Sequence, residues 1–138
     1  MKRNKIYNFR GVFSKDILPK VINANESCII NIEDHFKGSG THWVCIYNGL
    51  KSKDVQYFDS FGLYPSDVVL NYMKTANKGV EYNDVEIQDI DSVMCGYYCC
   101  YYIIGKYLGY KDTDILLLFD LEPTKANEVL IRNIATNI

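Results

Sequence analysis

Cys95-Gly96-Tyr97-Tyr98-Cys99-Cys100-Tyr101-Tyr102-Ile103-Ile104-Gly105-Lys106-Tyr107-Leu108 carries the strongest structural signal in the chain. It places Tyr, Ile and Leu on most faces of a helix, so the helix is expected to be buried on more than one side. Its first residue is a thiol, followed at once by glycine. A helix N-terminus offers free N–H groups and partial positive charge. Both favour a thiolate over a thiol near neutral pH, and Gly96 lets a substrate carbonyl come close to the backbone. Cys95 is therefore the candidate nucleophile. Cys99 and Cys100 sit a turn deeper, where inert core packing is expected. Cys28 and Cys45 lie in apolar strands, with the same expectation.

Upstream of this helix the pattern is that of strands. Cys28-Ile29-Ile30-Asn31-Ile32 reads as one, and Thr41 to Tyr47, rich in β-branched and aromatic residues, as a second. Asn48-Gly49 is a turn signal. Val55 to Phe58 forms a third strand, ending near Asp59-Ser60-Phe61-Gly62, and the short polar connection makes this an antiparallel pair. Pro65-Ser66-Asp67 opens a helix to about Thr75, with Val68, Val69, Tyr72 and Met73 at helical spacing. Gly79-Val80 starts an extended segment to about Ile87. Val12 to Leu18 is expected as a short helix stopped before Pro19. Thr113 and Pro123-Thr124 are expected to open two more. The order predicts an α+β fold, a single domain over residues 1–138. It has one mixed, mostly antiparallel central sheet flanked by helices.

The composition agrees with a packed globular chain. The 138 residues are 48% hydrophobic and 23% charged, with twelve Tyr. The formal net charge of −2 gives no overall basic field for nucleic acid. Lys2, Arg3, Lys5, Arg10, Lys15 and Lys20 do make a local basic arm, read as a solvated terminus. No run approaches the ~18–20 apolar residues of a membrane span, and no signal-peptide core is visible. Five Cys, two of them adjacent, make a poor disulfide framework. A reducing, intracellular compartment is expected.

Only two histidines could serve a thiol as base. His35 lies in the polar loop Asp34-His35-Phe36-Lys37. His42 stands in Gly40-Thr41-His42-Trp43, at the start of an apolar strand, and a strand end fixes a ring better than a loop does. A third group usually orients the imidazole. Asp59 is the best candidate, because it ends the strand expected to pair with that of His42. A carboxylate at His Nδ1 would fix the tautomer and stabilise the imidazolium. Asp54 reads as a turn residue. An oxyanion hole could use the Cys95 backbone N–H and the side-chain amide of Gln88. With no CxxC pair and two His, a metal site is not expected.

In order, His42, Asp59, Gln88 and Cys95 resemble the adenovirus-type cysteine proteases, whose clan includes the SUMO proteases. Gly40-Thr41-His42-Trp43-Val44 looks like the family's His box and Tyr57-Phe58-Asp59-Ser60-Phe61-Gly62 like its acid box. Gln88 stands where the oxyanion Gln stands, and Cys95-Gly96-Tyr97-Tyr98-Cys99 looks like the nucleophile box. The likeness is closer still to short maturation proteases of virophages, large DNA viruses and Polinton-type transposons. Phe9-Arg10-Gly11-Val12-Phe13, Leu18-Pro19-Lys20 and Ile29-Ile30-Asn31-Ile32 resemble segments of those. The match covers about residues 9 to 104. Adenovirus enzymes carry Glu as the acid where this chain has Asp59. The segment Asp91-Ser92-Val93-Met94 differs from the Asp-Gly type common in SUMO proteases.

The resemblance implies an adenain-like, papain-like fold with the nucleophile at a helix N-terminus. It implies a cysteine endopeptidase cutting capsid or virion precursor proteins after small residues, in Gly-X-Gly-like sites. Cys95 is then the nucleophile, His42 the base and Asp59 the orienting acid. Gln88 and the Cys95 N–H hold the oxyanion, while Trp43 and Gly96 shape the cleft. No cofactor is implied. The expected partners are protein substrates and, as in adenovirus relatives, an activating viral peptide. The mildly acidic chain argues against DNA activation. A monomer without membrane contact is expected, located inside the host cell and packaged in the virion. The alternatives are a SUMO-type modifier protease sharing the catalytic residues and a non-enzymatic capsid component that keeps the fold.

Overall fold

A computed structural model of the chain describes residues 8–32, 42–83, 87, 95–116, 127 and 131. Its frame is a five-stranded sheet in the order β1-β2-β3-β4-β5. The strands are β1 (Phe9–Ser14), β2 (Glu26–Asn31), β3 (Trp43–Asn48), β4 (Asp54–Phe58) and β5 (Gly79–Tyr82). The two central pairings, β2 with β3 and β3 with β4, are antiparallel. Both edge pairings are parallel. The helices are α1 (Asp67–Lys74), α2 (Cys95–Tyr107) and α3 (Asp112–Leu116).

Alternation along β2 and β3 builds a core on each face of the sheet, because successive side chains point to opposite sides. Cys28, Ile30, Val44, Ile46 and Val55 pack with Val69, Tyr72 and Met73 of α1. Ile29, Cys45, Tyr47 and Phe58 pack with Tyr98, Cys99, Tyr102 and Ile103 of α2. Phe58 and Tyr102 stack at 4.6 Å between ring centroids and 8° between planes. Each such fully buried side chain contributes roughly 1.5–3 kcal/mol of burial free energy. The helix read from the Tyr-rich run is therefore the element that closes one face, and it ends at Tyr107.

The N-terminal segment differs from its expected form. Val12, Phe13 and Ser14 belong to edge strand β1, and the helical part shrinks to a 3-10 turn over Lys15–Ile17. Phe9 pairs with Ser27 but Val12 with Ile29, so one extra residue sits on β1. Gly11, at φ +139°, takes up that bulge in a conformation side chains rarely adopt. The stop before Pro19 holds, but backbone pairing to β2 outcompetes the local helical pattern.

Helix α1 begins after Ser66 as read, and Val69, Tyr72 and Met73 form its buried stripe, while Val68 is exposed. Its end is tied to the first loop. Thr75 Oγ1 donates to Tyr72 O at 2.7 Å and accepts the Ile22 N–H at 3.0 Å. Helix α3 starts at Asp112, one residue before the expected Thr113. Asp112 accepts from Tyr102 Oη at 2.7 Å and from Lys106 Nζ at 2.6 Å, which holds α3 against α2. The expected start at Pro123-Thr124 lies outside the described residues.

Candidate active site

Three side chains meet where β3, β4 and α2 converge. His42 immediately precedes β3, Asp59 immediately follows β4, and Cys95 is the first residue of α2. Antiparallel pairing puts the start of β3 beside the end of β4. The contact of α2 with β3 brings the helix N-terminus to the same corner. All three are buried: His42 is 6% exposed, Asp59 1% and Cys95 4%.

His42 Nε2 lies 2.7 Å from Asp59 Oδ1. The sequence reading put the carboxylate on Nδ1, and the structure corrects this: the acid takes Nε2. The reason is where β4 ends. The turn that follows holds Asp59 Oδ1 on the Phe61 N–H and stacks Phe61 on the imidazole, with Nε2 facing the carboxylate. Nδ1 is the nitrogen left for chemistry. It is buried, and its approach to a hydrogen bond is a loose contact with the Cys95 thiol, short of full hydrogen-bond geometry. The Cys95 thiol is near enough for the two groups to perturb one another. The pair is thus within reach but not closed, as catalytic hydrogen bonds often are before substrate binds.

The electrostatics favour a charge-separated pair. Burial works against a charged His42. The hydrogen bonds to Asp59 and Cys95 and the attraction of both groups outweigh it, lifting its pKa from 6.5 to about 9. Burial also works against a Cys95 thiolate. The hydrogen bond and charge of His42, with the N–H groups of Trp43 and Gly96, overcome it and lower the thiol from its ordinary 9.0. A raised imidazole beside a lowered thiol is the signature of a thiolate–imidazolium pair. Cys28, at the other face of the sheet, is pushed up to about 12, mainly by burial. Burial raises Cys45 well above its ordinary value and raises Cys100 too. Among these thiols the environment of Cys95 alone favours ionisation.

Asp59 is itself held firmly. Its Oδ1 also accepts the Phe61 N–H at 2.8 Å, and Gly62 N–H closes the turn on Asp59 O at 2.7 Å. Gly62 adopts φ +72°, where glycine carries no steric penalty. The turn delivers Phe61 onto the imidazole, stacked at 4.5 Å and 24°. Asn83, just beyond β5, grips the Asp59 backbone from the other side. Its Oδ1 accepts the Asp59 N–H at 2.9 Å and its Nδ2 donates to Asp59 O at 2.6 Å. The sequence reading missed Asn83. One polar residue after a strand gives no local signal, and only the parallel β4–β5 pairing brings it to Asp59.

A cavity of about 330 Å³ adjoins this corner, lined by Val12, Ile29, Trp43, Gly96, Tyr97 and Cys100. Trp43 and Gly96, the residues read as shaping a cleft, both face it. A Cβ placed on Gly96 would meet no atom of the described residues within 4 Å beyond its chain neighbours and its own turn of helix. Gln88 and His35 lie outside the described residues. Among the described residues, no group of three His, Cys, Asp or Glu could hold a metal ion, and no helix is long and apolar enough to cross a membrane.

No protein-family model and no curated protein sequence matches the chain. Its fold, in contrast, is one already seen in a solved viral protease. A selenomethionine crystal structure of the ASFV pS273R protease is similar at a TM-score of 0.54 and 22% identity, covering 74% of this chain and 40% of that one. A second structure of the same ASFV protease gives 0.52 and 20%, covering 66% and 36%. The SUMO protease Ulp1, solved with its catalytic cysteine oxidised to a sulfinic acid, follows at 0.42 and 18%, covering 65% and 47%. The chain thus spans about two-fifths of the length of the ASFV protease it matches.

Proposed function

We propose that the chain is a cysteine endopeptidase that cleaves viral precursor proteins, with Cys95, His42 and Asp59 as its catalytic triad. The observation that carries this is the buried corner itself. Asp59 holds one nitrogen of His42, the other makes a loose contact with the Cys95 thiol, and that thiol sits at the start of a thirteen-residue helix with a lowered pKa. A fold shared with the ASFV protease supports the same reading.

The chemistry runs through a thioester. The Cys95 thiolate attacks the scissile carbonyl carbon, and the electron pair moves to the oxygen. The Cys95 N–H and the Gln88 amide stabilise that oxyanion. The imidazolium gives its Nδ1 proton to the departing amine as the C–N bond breaks. His42 then takes a proton from water, which attacks the thioester and releases the acid and the thiolate. Throughout, Nε2–H stays on Asp59, which fixes the ring and stabilises its charge. Cleavage after small residues in Gly-X-Gly-like sites, virion precursors, a viral activating peptide and a monomeric enzyme acting within the infected cell belong to this reading through the family resemblance.

Wild type and Cys95→Ala are incubated with capsid precursors carrying Gly-X-Gly sites, and cleavage is read by mass spectrometry. Specific cuts by wild type alone support the proposal. Equal cutting by both proteins removes Cys95 as nucleophile. A ubiquitin-like-modifier probe run alongside separates deconjugation from precursor processing: preferential turnover of the probe would favour a SUMO-type activity.

A further inference from the structure

The start of β3 is held in an unusual way. The ladder with β4 runs from Cys45 opposite Phe58 to Tyr47 opposite Gln56, so Trp43 lies beyond its end. In a strand the N–H and C=O of one residue point the same way, towards one neighbour. At Trp43 both are engaged by sulfur atoms of α2. Its N–H donates to Cys95 Sγ at 3.3 Å, and its C=O accepts from Cys99 Sγ at 3.4 Å. Residues four apart lie on one helix face, about 6 Å apart, a spacing suited to the two polar groups of one extended residue. The i and i+4 thiols thus take the place of the missing strand.

We propose that Cys99 is a positioning residue for the nucleophile: its thiol, bonded to the Trp43 carbonyl, keeps the Trp43 N–H directed at Cys95 Sγ. The proposal rests on the reading of Cys95 as nucleophile. A thiolate in a buried corner needs fixed donors, and the Trp43 N–H is one of them. Without the Cys99 bond, the residue ahead of the β4 ladder loses its restraint on the carbonyl side. The N–H then spends less time on sulfur. Cys99 is fully buried and was expected to be inert packing; its place opposite Trp43 gives the thiol a partner and a task. Cys45 offers an internal comparison. It crosses between the same two elements, donating to Cys99 O at 3.8 Å, but touches neither polar group of Trp43.

The test is the pH dependence of Cys95 alkylation by iodoacetamide, followed by peptide mass mapping, in wild type and in Cys99→Ala, Cys99→Val, Cys99→Ser and Cys45→Ala. Near-UV circular dichroism selects the folded variants. The Ala and Val variants remove the donor at two different volumes, so one poorly folded variant does not end the test. The Cys95 midpoint should rise by about half a pH unit in both, which is about threefold less thiolate at any pH well below the midpoint. Cys99→Ser keeps a donor and should restore the wild-type midpoint, and Cys45→Ala should leave it unmoved. An unchanged midpoint in Cys99→Ala or Cys99→Val overturns the proposal. So does an equal rise in Cys45→Ala, which would mean general loosening. If wild-type Cys95 reacts no earlier than Cys28 and Cys45, the nucleophile reading itself fails, and this inference with it.

Discussion

Asp59→Asn tests the core of the site, because it removes one charge with almost no change of shape. In wild type, His42 is lifted from 6.5 to about 9. At pH 7.5 the imidazolium then outnumbers the neutral ring by about thirty to one. Burial is the largest influence on this ring and acts to lower its pKa. The rise therefore depends on its partners, Asp59 first and then Cys95. An asparagine keeps an acceptor for the Phe61 N–H but offers His42 no negative charge. An opposite charge at this range is worth about 1–3 pKa units. His42 in the variant should titrate at about 6–8, so that the charged ring falls from about thirty to one to at most about three to one at pH 7.5. The thiolate loses its counter-charge at the same time, and Cys95 should need a higher pH to ionise. Precursor cleavage at pH 7.5 should fall with the loss of the charged pair. The assay is a proton NMR titration of the His42 ring, paired with iodoacetamide labelling of Cys95 across pH. If the variant's His42 still titrates near 9, Asp59 is not what holds the imidazolium, and the electrostatic account of the site is refuted.

Three further outcomes follow from the same geometry. In Cys95→Ala, two of the influences raising His42 disappear while burial and Asp59 remain, so its pKa should drop below about 9, read by the same titration. Asn83→Ala leaves the Asp59 N–H without its partner and takes one of two donors from the Asp59 C=O, which keeps the Gly62 N–H. Stability should fall by about 1–3 kcal/mol in denaturant unfolding, with Cys95 labelling shifted to higher pH, whereas a loss below about 0.5 kcal/mol would mean that water replaces Asn83 at no cost. Gly96→Ala places its new methyl group clear of the described residues beyond its own turn of helix and adds a better helix former. Unfolding and iodoacetamide labelling of Cys95 should stay near wild type while peptide cleavage drops, and unimpaired cleavage would show that substrate does not pass over this backbone.

Much of the architecture was legible because it is written in local periodicity. β2, β3 and β4 announce themselves through β-branched and aromatic residues, and α1 through Val69, Tyr72 and Met73. The Tyr-rich run gives α2 through sheer apolar density. β1 was not legible for the same reason. Val12 to Leu18 carries a pattern a short helix could satisfy, and the sequence holds no sign that β2 offers its edge nearby. Gly11 hints at irregularity, but a bulge has meaning only once a partner strand is known. Where a segment's state is set by a neighbour distant in sequence, pairing overrides propensity.

The site divides along a related line. His42, Asp59 and Cys95 could be picked out because each sits at the end of a recognisable element and each has a side chain suited to the chemistry. The orientation of the imidazole could not, since it depends on the turn that holds Asp59 and stacks Phe61 on the ring. Nor could the supports. Asn83 acts on the backbone of Asp59, and Cys99 acts on the backbone of Trp43; neither contact leaves a mark in residue spacing. Yet these supports hold the groups that the proposed chemistry needs. A carboxylate displaced by even 1 Å from Nε2 no longer holds a hydrogen bond of 2.7 Å. A thiol without its N–H donors returns towards the basicity that burial imposes on Cys28 and Cys45. Cys95 and Cys99 occupy the same helix face four residues apart, yet each has a different group of Trp43 as its partner. The difference between the two thiols therefore lies in His42 and in the group of Trp43 that each one meets, and residue type alone does not encode it.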